Sequence, residues 1–140
     1  MLYVKYPCMS DFKFEKKEHL KSHKTITELF KSGDSFGMYP LRAVWKMAEQ
    51  NEENCPLKIG ISVPKKRFRR AVARNRLRRQ VREAFRLNKA AFVRNAPADH
   101  PPVALMILYT GVEALPYSTI QEAMARLLKR LAKEMRKEKP

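Results

Sequence analysis

Between Lys65 and Arg82, ten of eighteen residues are Lys or Arg, and eight of those ten are Arg. No acidic residue occurs between Glu53 and Glu83. The guanidinium group is a planar fork that pairs bidentately with phosphate and stacks on bases, whereas an ammonium is a point charge. This window holds +10 of a net charge of +16. An ordinary solvated helix face mixes signs and gains from Glu–Lys pairs. A face that repels itself points to a polyanionic partner. A membrane-surface helix fits less well, because the opposite side lacks the bulky apolar side chains that enter lipid.

Other chemistry is thinly supplied. His19 and His23 have the spacing of metal ligands on a helix, but no Glu follows in a metalloprotease pattern and no third ligand is visible. They read as an exposed pair. Cys8 and Cys55 are far apart and read as two thiols, not as a disulfide or a zinc site. Cys55 has no evident base to activate it. Glu49, Glu52 and Glu53 form a solvated loop. Four glycines make no phosphate-cradling loop. No catalytic residue, intrinsic cofactor or bound metal is expected of the protein itself.

The elements that must position the arginines are those of one domain. One hundred and forty residues with 44% hydrophobic content can build a core. No apolar run is long enough to span a bilayer, and the first residues lack a secretory signal, so a cytoplasmic protein is expected. Residues 1–13 read as a flexible extension and 14–140 as a single domain with a charged tail. Thr25 to Glu28 fits a capping box for a short helix stopped by Gly33. Leu41 to Ala48 reads as a strand, and Leu57 to Val63 as a second, with Gly60 a bulge or a point of close approach. The short loop between them predicts antiparallel pairing. From Ala71 the period is helical. Ala73, Leu77, Val81, Ala84 and Phe85 fall on one side, and Asn75, Arg78, Arg79, Arg82 and Arg86 on the other. Val103 to Tyr109 is a continuous apolar run, read as a buried central strand. Ser118 and Gln121 box a last helix striped by Ile120, Met124, Leu127, Leu128, Leu131 and Met135.

The expected architecture is therefore an α+β two-layer sandwich with a small mixed sheet, in the order αββαβα. The second strand, basic helix and third strand suit a parallel βαβ unit, for which a right-handed crossover is the physical default. Phe30, Tyr39, Trp45 and Phe68 are candidates to stack on bases, each with a core role as the alternative. Alternation alone does not decide which face Trp45 occupies.

Two stretches carry a resemblance. Lys58-Ile59-Gly60-Ile61-Ser62-Val63-Pro64-Lys65-Lys66 is followed by a helix holding Arg74-Asn75-Arg76, the pair Arg78-Arg79, and Arg82. Together they resemble the protein subunit of bacterial ribonuclease P, over roughly residues 14 to 133. Glu28 to Gly33 is similar to the end of that family's first helix. The resemblance implies a left-handed βαβ crossover in place of the default. It implies a large catalytic RNA as partner and precursor tRNA as substrate, with 5′-leader removal dependent on magnesium held mainly by the RNA. No obligate protein partner and no membrane are implied. Carried over by position, Lys65, Lys66, Arg70, Arg74, Asn75, Arg76, Arg78, Arg79, Arg82 and Arg86 form the RNA-binding set. Ile26, Phe30, Trp45 and Ser62 fall at a leader-binding cleft. Three departures stand out: Ile26 replaces an aromatic, the strand position that often carries Tyr falls near Val44 or Trp45, and Arg67-Phe68-Arg69-Arg70 replaces the usual Gly-Asn before the helix. A ribosomal RNA binder, a protein-only nuclease and a DNA-binding module are the rival readings. The last lacks helix–turn–helix spacing.

So many like charges oppose folding until an anion binds the native state. The melting temperature is expected to rise clearly when sulfate is added, measured by circular dichroism at constant ionic strength.

Overall fold

A computed structural model describes residues 19–20, 23–47, 57–96 and 102–138. The extension, Cys8, Cys55, the Glu49–Glu53 loop and the chain's last two residues lie outside them. The order is α1 (His23–Ser32), β1 (Asp34–Met38), β2 (Leu41–Met47), β3 (Leu57–Ser62), α2 (Ala71–Asn95), β4 (Val103–Tyr109) and α3 (Tyr117–Glu138). The architecture is α+β, with a mixed four-stranded sheet in the order β1-β2-β4-β3.

Two expectations change. The strand β1 adds a fourth member to the sheet, pairing antiparallel with β2 from Asp34↔Trp45 to Met38↔Leu41. And β2 does not pair with β3, because β4 lies between them, antiparallel to β2 and parallel to β3. A wholly apolar strand is most stable with neighbours on both sides, so β4 takes the centre. The β3–α2–β4 segment is the expected parallel unit.

Alternation divides the side chains. Leu41, Ala43 and Trp45 of β2, Leu57 and Ile59 of β3, and Leu105, Ile107 and Tyr109 of β4 face the main core. There they meet Leu77, Val81, Ala84 and Phe85 of α2 and the stripe Ile120, Met124, Leu127, Leu128, Leu131 and Met135 of α3. Each buried Leu, Ile, Val, Phe or Met among them contributes about 1.5–3 kcal/mol by leaving water. Lys89 is buried on this side of α2 as well, the one buried charged side chain among the described residues. On the sheet's other face a smaller cluster joins Leu29 of α1 to Val44 and Ala104. The sandwich thus carries α1 on its second face.

Helix starts differ from the capping boxes. Thr25 lies inside α1, where Thr27 Oγ1 donates to the His23 carbonyl at 2.8 Å. At α3 the chain enters through Pro116, whose carbonyl accepts from Thr119 and Ile120, so Ser118 sits in the first turn. His19 forms an extended bridge with Ile59, so it does not share a helix with His23. Gly60 is a close approach: an added Cβ would lie 2.7 Å from Met106 Sδ.

Gly33 ends α1 as expected, its N–H donating to the Leu29 carbonyl at 2.8 Å. An added Cβ would stand 2.5 Å from that same oxygen and 3.1 Å from the Trp45 carbonyl. The backbone of α1 must therefore shift in Gly33→Ala, and a loss of about 1–3 kcal/mol is expected by urea denaturation, as for overpacked sites. Gly37→Ala, whose Cβ would meet only the Arg42 guanidinium at 3.7 Å, is expected to be near neutral.

Candidate nucleic-acid interface

The core stripe of α2 turns its arginines outward. Arg76, Arg79 and Arg82 are exposed, as is Asn75, while Arg78 and Arg86 are half-buried. Arg76 and Arg79 make no side-chain hydrogen bond or ion pair among the described residues. Arg78 donates to Asn75 Oδ1 at 2.9 Å, which orients the amide beside it. Arg86 donates through Nε to Glu83 Oε2 at 2.9 Å. That hydrogen bond holds the Glu83 carboxyl below its ordinary range and raises the Arg86 guanidinium. Arg86 is thus a charged group already paired with a carboxylate, the least available member of the set.

Arg74 has another occupation. Its Nη1 donates to the carbonyls of Phe68 and Arg69, both at 2.8 Å. Those bonds brace the turn ahead of the helix. Phe68 is buried, its N–H donating to the Pro64 carbonyl and its ring standing edge-on to Tyr109 at 5.6 Å. It is a core residue and not a stacking platform. Around it Lys65, Lys66, Arg67, Arg69 and Arg70 are all exposed. Arg70 is the N-cap of α2 and makes no side-chain capping bond, and the first turn holds no acidic residue. Cations at the positive end of a helix dipole are unfavourable, and the combination attracts anions.

The sheet's α1 face carries a second set of polar side chains. Arg42 Nη2 donates to Ser35 Oγ at 3.0 Å and Lys46 Nζ to Ser32 Oγ at 3.0 Å. Ser62, paired with Leu108 in register, belongs to this face, as does Lys58. Arg42 and Lys46 alternate with Leu41, Ala43 and Trp45, and Lys58 with Leu57 and Ile59, which is the signal in the residues that places these three cations on this face. Ile26 is half-buried on α1, and Phe30 is 54% exposed. Tyr39, at the β1–β2 turn, is 66% exposed. Trp45 is a correction: it is 2% exposed and sits in the main core. Val44 takes the position facing α1. Among the described residues no three His, Cys, Asp or Glu side chains gather as a metal group, and no helix is long and apolar enough to cross a membrane.

Fold and surface together define a small basic α+β protein with one cationic helix and a polar open sheet face. A family model described as Ribonuclease P matches residues 14–132. The ribonuclease P protein component of Porphyromonas gingivalis is 37% identical over 123 residues, 86% of this chain and 88% of that one. That of Chromohalobacter salexigens is 32% identical over 131 residues, 93% and 94% of the two chains. The RNase P protein from Thermotoga maritima in complex with 1-(4-fluorophenyl)-2-thiourea superposes with a TM-score of 0.63 at 25% identity, covering 80% of this chain and 98% of that one. The Staphylococcus aureus RNase P protein shares the fold, with a TM-score of 0.62 at 22% identity over 81% and 94%. The chain belongs to the ribonuclease P protein family.

The two kinds of arginine are separable by experiment. Arg74→Ala is expected to lower the stability of the free protein by about 1 kcal/mol, through two lost charge-assisted bonds discounted for partial exposure. Arg79→Ala is expected to leave thermal stability unchanged or slightly raised.

Proposed function

We propose that this protein binds the catalytic RNA of ribonuclease P through the outer face of α2 and assists removal of the 5′ leader from precursor tRNA. The observation that carries the reading is the pair of uncommitted guanidiniums, Arg76 and Arg79, in the Arg-Asn-Arg context of a helix whose other side is locked in the core. Lys65, Lys66, Arg70 and Arg82 extend this surface, and Arg78 and Asn75 act as a linked pair. Their role is to neutralise phosphates where two polyanions must approach. The RNA carries the phosphodiester chemistry, and magnesium enters as the RNA's ion. The leader is held on the sheet's α1 face, near Ile26, Phe30 and Ser62. Arg42 and Lys46 supply cations there, and Val44 replaces Trp45 in the cleft. Phe30 is the aromatic available for stacking, since Trp45 and Phe68 are committed to the core.

The protein added to catalytic RNA at low magnesium is expected to restore precursor-tRNA cleavage, and the protein alone is expected to cleave nothing. Cleavage by the protein alone, or no restoration, overturns the reading. The double substitution of Arg76 and Arg79 by Ala is expected to weaken RNA affinity and flatten the log–log salt slope by roughly 1.5.

A further inference from the structure

A groove of about 770 Å³ runs between the first turns of α2 and the segment that leads into α3. One wall carries Val72, Arg76 and Gln80, and the other Leu115, Pro116 and Tyr117. We propose that this groove receives a single unpaired nucleotide of the bound RNA, its base against the apolar walls and its phosphate on the flanking arginines. The proposal rests on the reading of α2 as an RNA-binding helix and assigns that helix a second, base-contacting element.

Three observations support it. First, the groove exposes apolar surface that no part of the described chain covers: Val72 is 77% exposed, between the exposed Arg70 and Arg76. Second, its charge is one-sided. Arg70 and Arg76 line it with no carboxylate. It adjoins a shallower hollow lined by Arg79 and Glu83, and Glu83 is already engaged by Arg86. An occupant with a flat apolar part and a negative charge satisfies both walls, and a nucleotide has that chemistry. Third, the walls are preformed. Tyr109 Oη donates to the Glu113 carbonyl at 2.7 Å and accepts from the Leu115 N–H at 3.0 Å. Arg67 also donates to the Thr110 carbonyl, pinning the start of the same segment. A rigid slot binds without an ordering cost, and the volume lies in the range of small-molecule sites.

The position also suits the polymer. Arg76 lines the groove and belongs to the outer face of α2, so a strand tracking that face passes the mouth of the slot. A base extruded from the strand would reach Val72 and Tyr117 without a break in the phosphate contacts.

The test compares two RNA duplexes of equal length, one fully paired and one with a single unpaired nucleotide, titrated against the full chain by fluorescence anisotropy. The wild type is expected to prefer the bulged duplex by about fivefold or more, the lower end of what base stacking on protein side chains supplies. Val72→Asn changes an exposed position, and the fold is expected to be unperturbed by circular dichroism. This variant is expected to abolish the preference and leave fully paired binding within about twofold. Tyr117→Ala is expected to act in the same direction. Equal binding of the two duplexes by the wild type, or a preference that survives Val72→Asn, overturns the slot and leaves the α2 reading standing. The absence of salt-dependent binding to either duplex overturns both.

Discussion

The structure depends on one helix being held against its own charge. Without packing, the arginines of α2 would make it a poor helix, since like charges repel along one side and cations crowd the positive end of the dipole. Leu77, Val81, Ala84, Phe85 and Phe92 overcome this by burial against the sheet and α3. Core and interface are two sides of one element, so the repulsion that weakens the free protein is the attraction available to a polyanion.

The arginines are not equivalent, and the differences come from local geometry. Arg74 holds the turn at Phe68, Arg86 is paired with Glu83, Arg78 orients Asn75, and Arg76 and Arg79 are free to meet a partner. Charge count alone would assign all of them one role. The turn ahead of α2 is itself basic. Its Phe68 tucks its ring against Tyr109, and Arg67, Arg69 and Arg70 remain exposed.

Much of this was legible in the residues. The two sides of α2 follow from a period near 3.6, and the central place of Val103–Tyr109 from an unbroken apolar run. Family membership followed from the Arg-Asn-Arg stretch and the strand before it. Three features were not legible, for physical reasons. β1 is the sequence Asp-Ser-Phe-Gly-Met, in which only Phe36 is buried, so its strand character comes from pairing with β2 and not from its own pattern. The pairing of β2 with β3 was expected from a short connection, but chain proximity loses to the burial gained when β4 enters the centre. Trp45 was ambiguous because α1 covers part of the second face, leaving both Val44 and Trp45 buried. Alternation decides a strand's orientation only where one face is wet.

The central place of β4 also has a consequence for biogenesis. A growing chain makes β1 and β2, neighbours through a tight turn, long before the strand that must lie beside them. β3 leaves the ribosome with no sheet neighbour, because its partner is Val103–Tyr109, and α2 waits longer still, for α3. Closure of the sheet is a late, non-local event, of the kind that slows folding. In that interval the apolar stripe of α2 lies open beside its arginines, so the segment is most exposed to misassembly before α3 arrives to cover it.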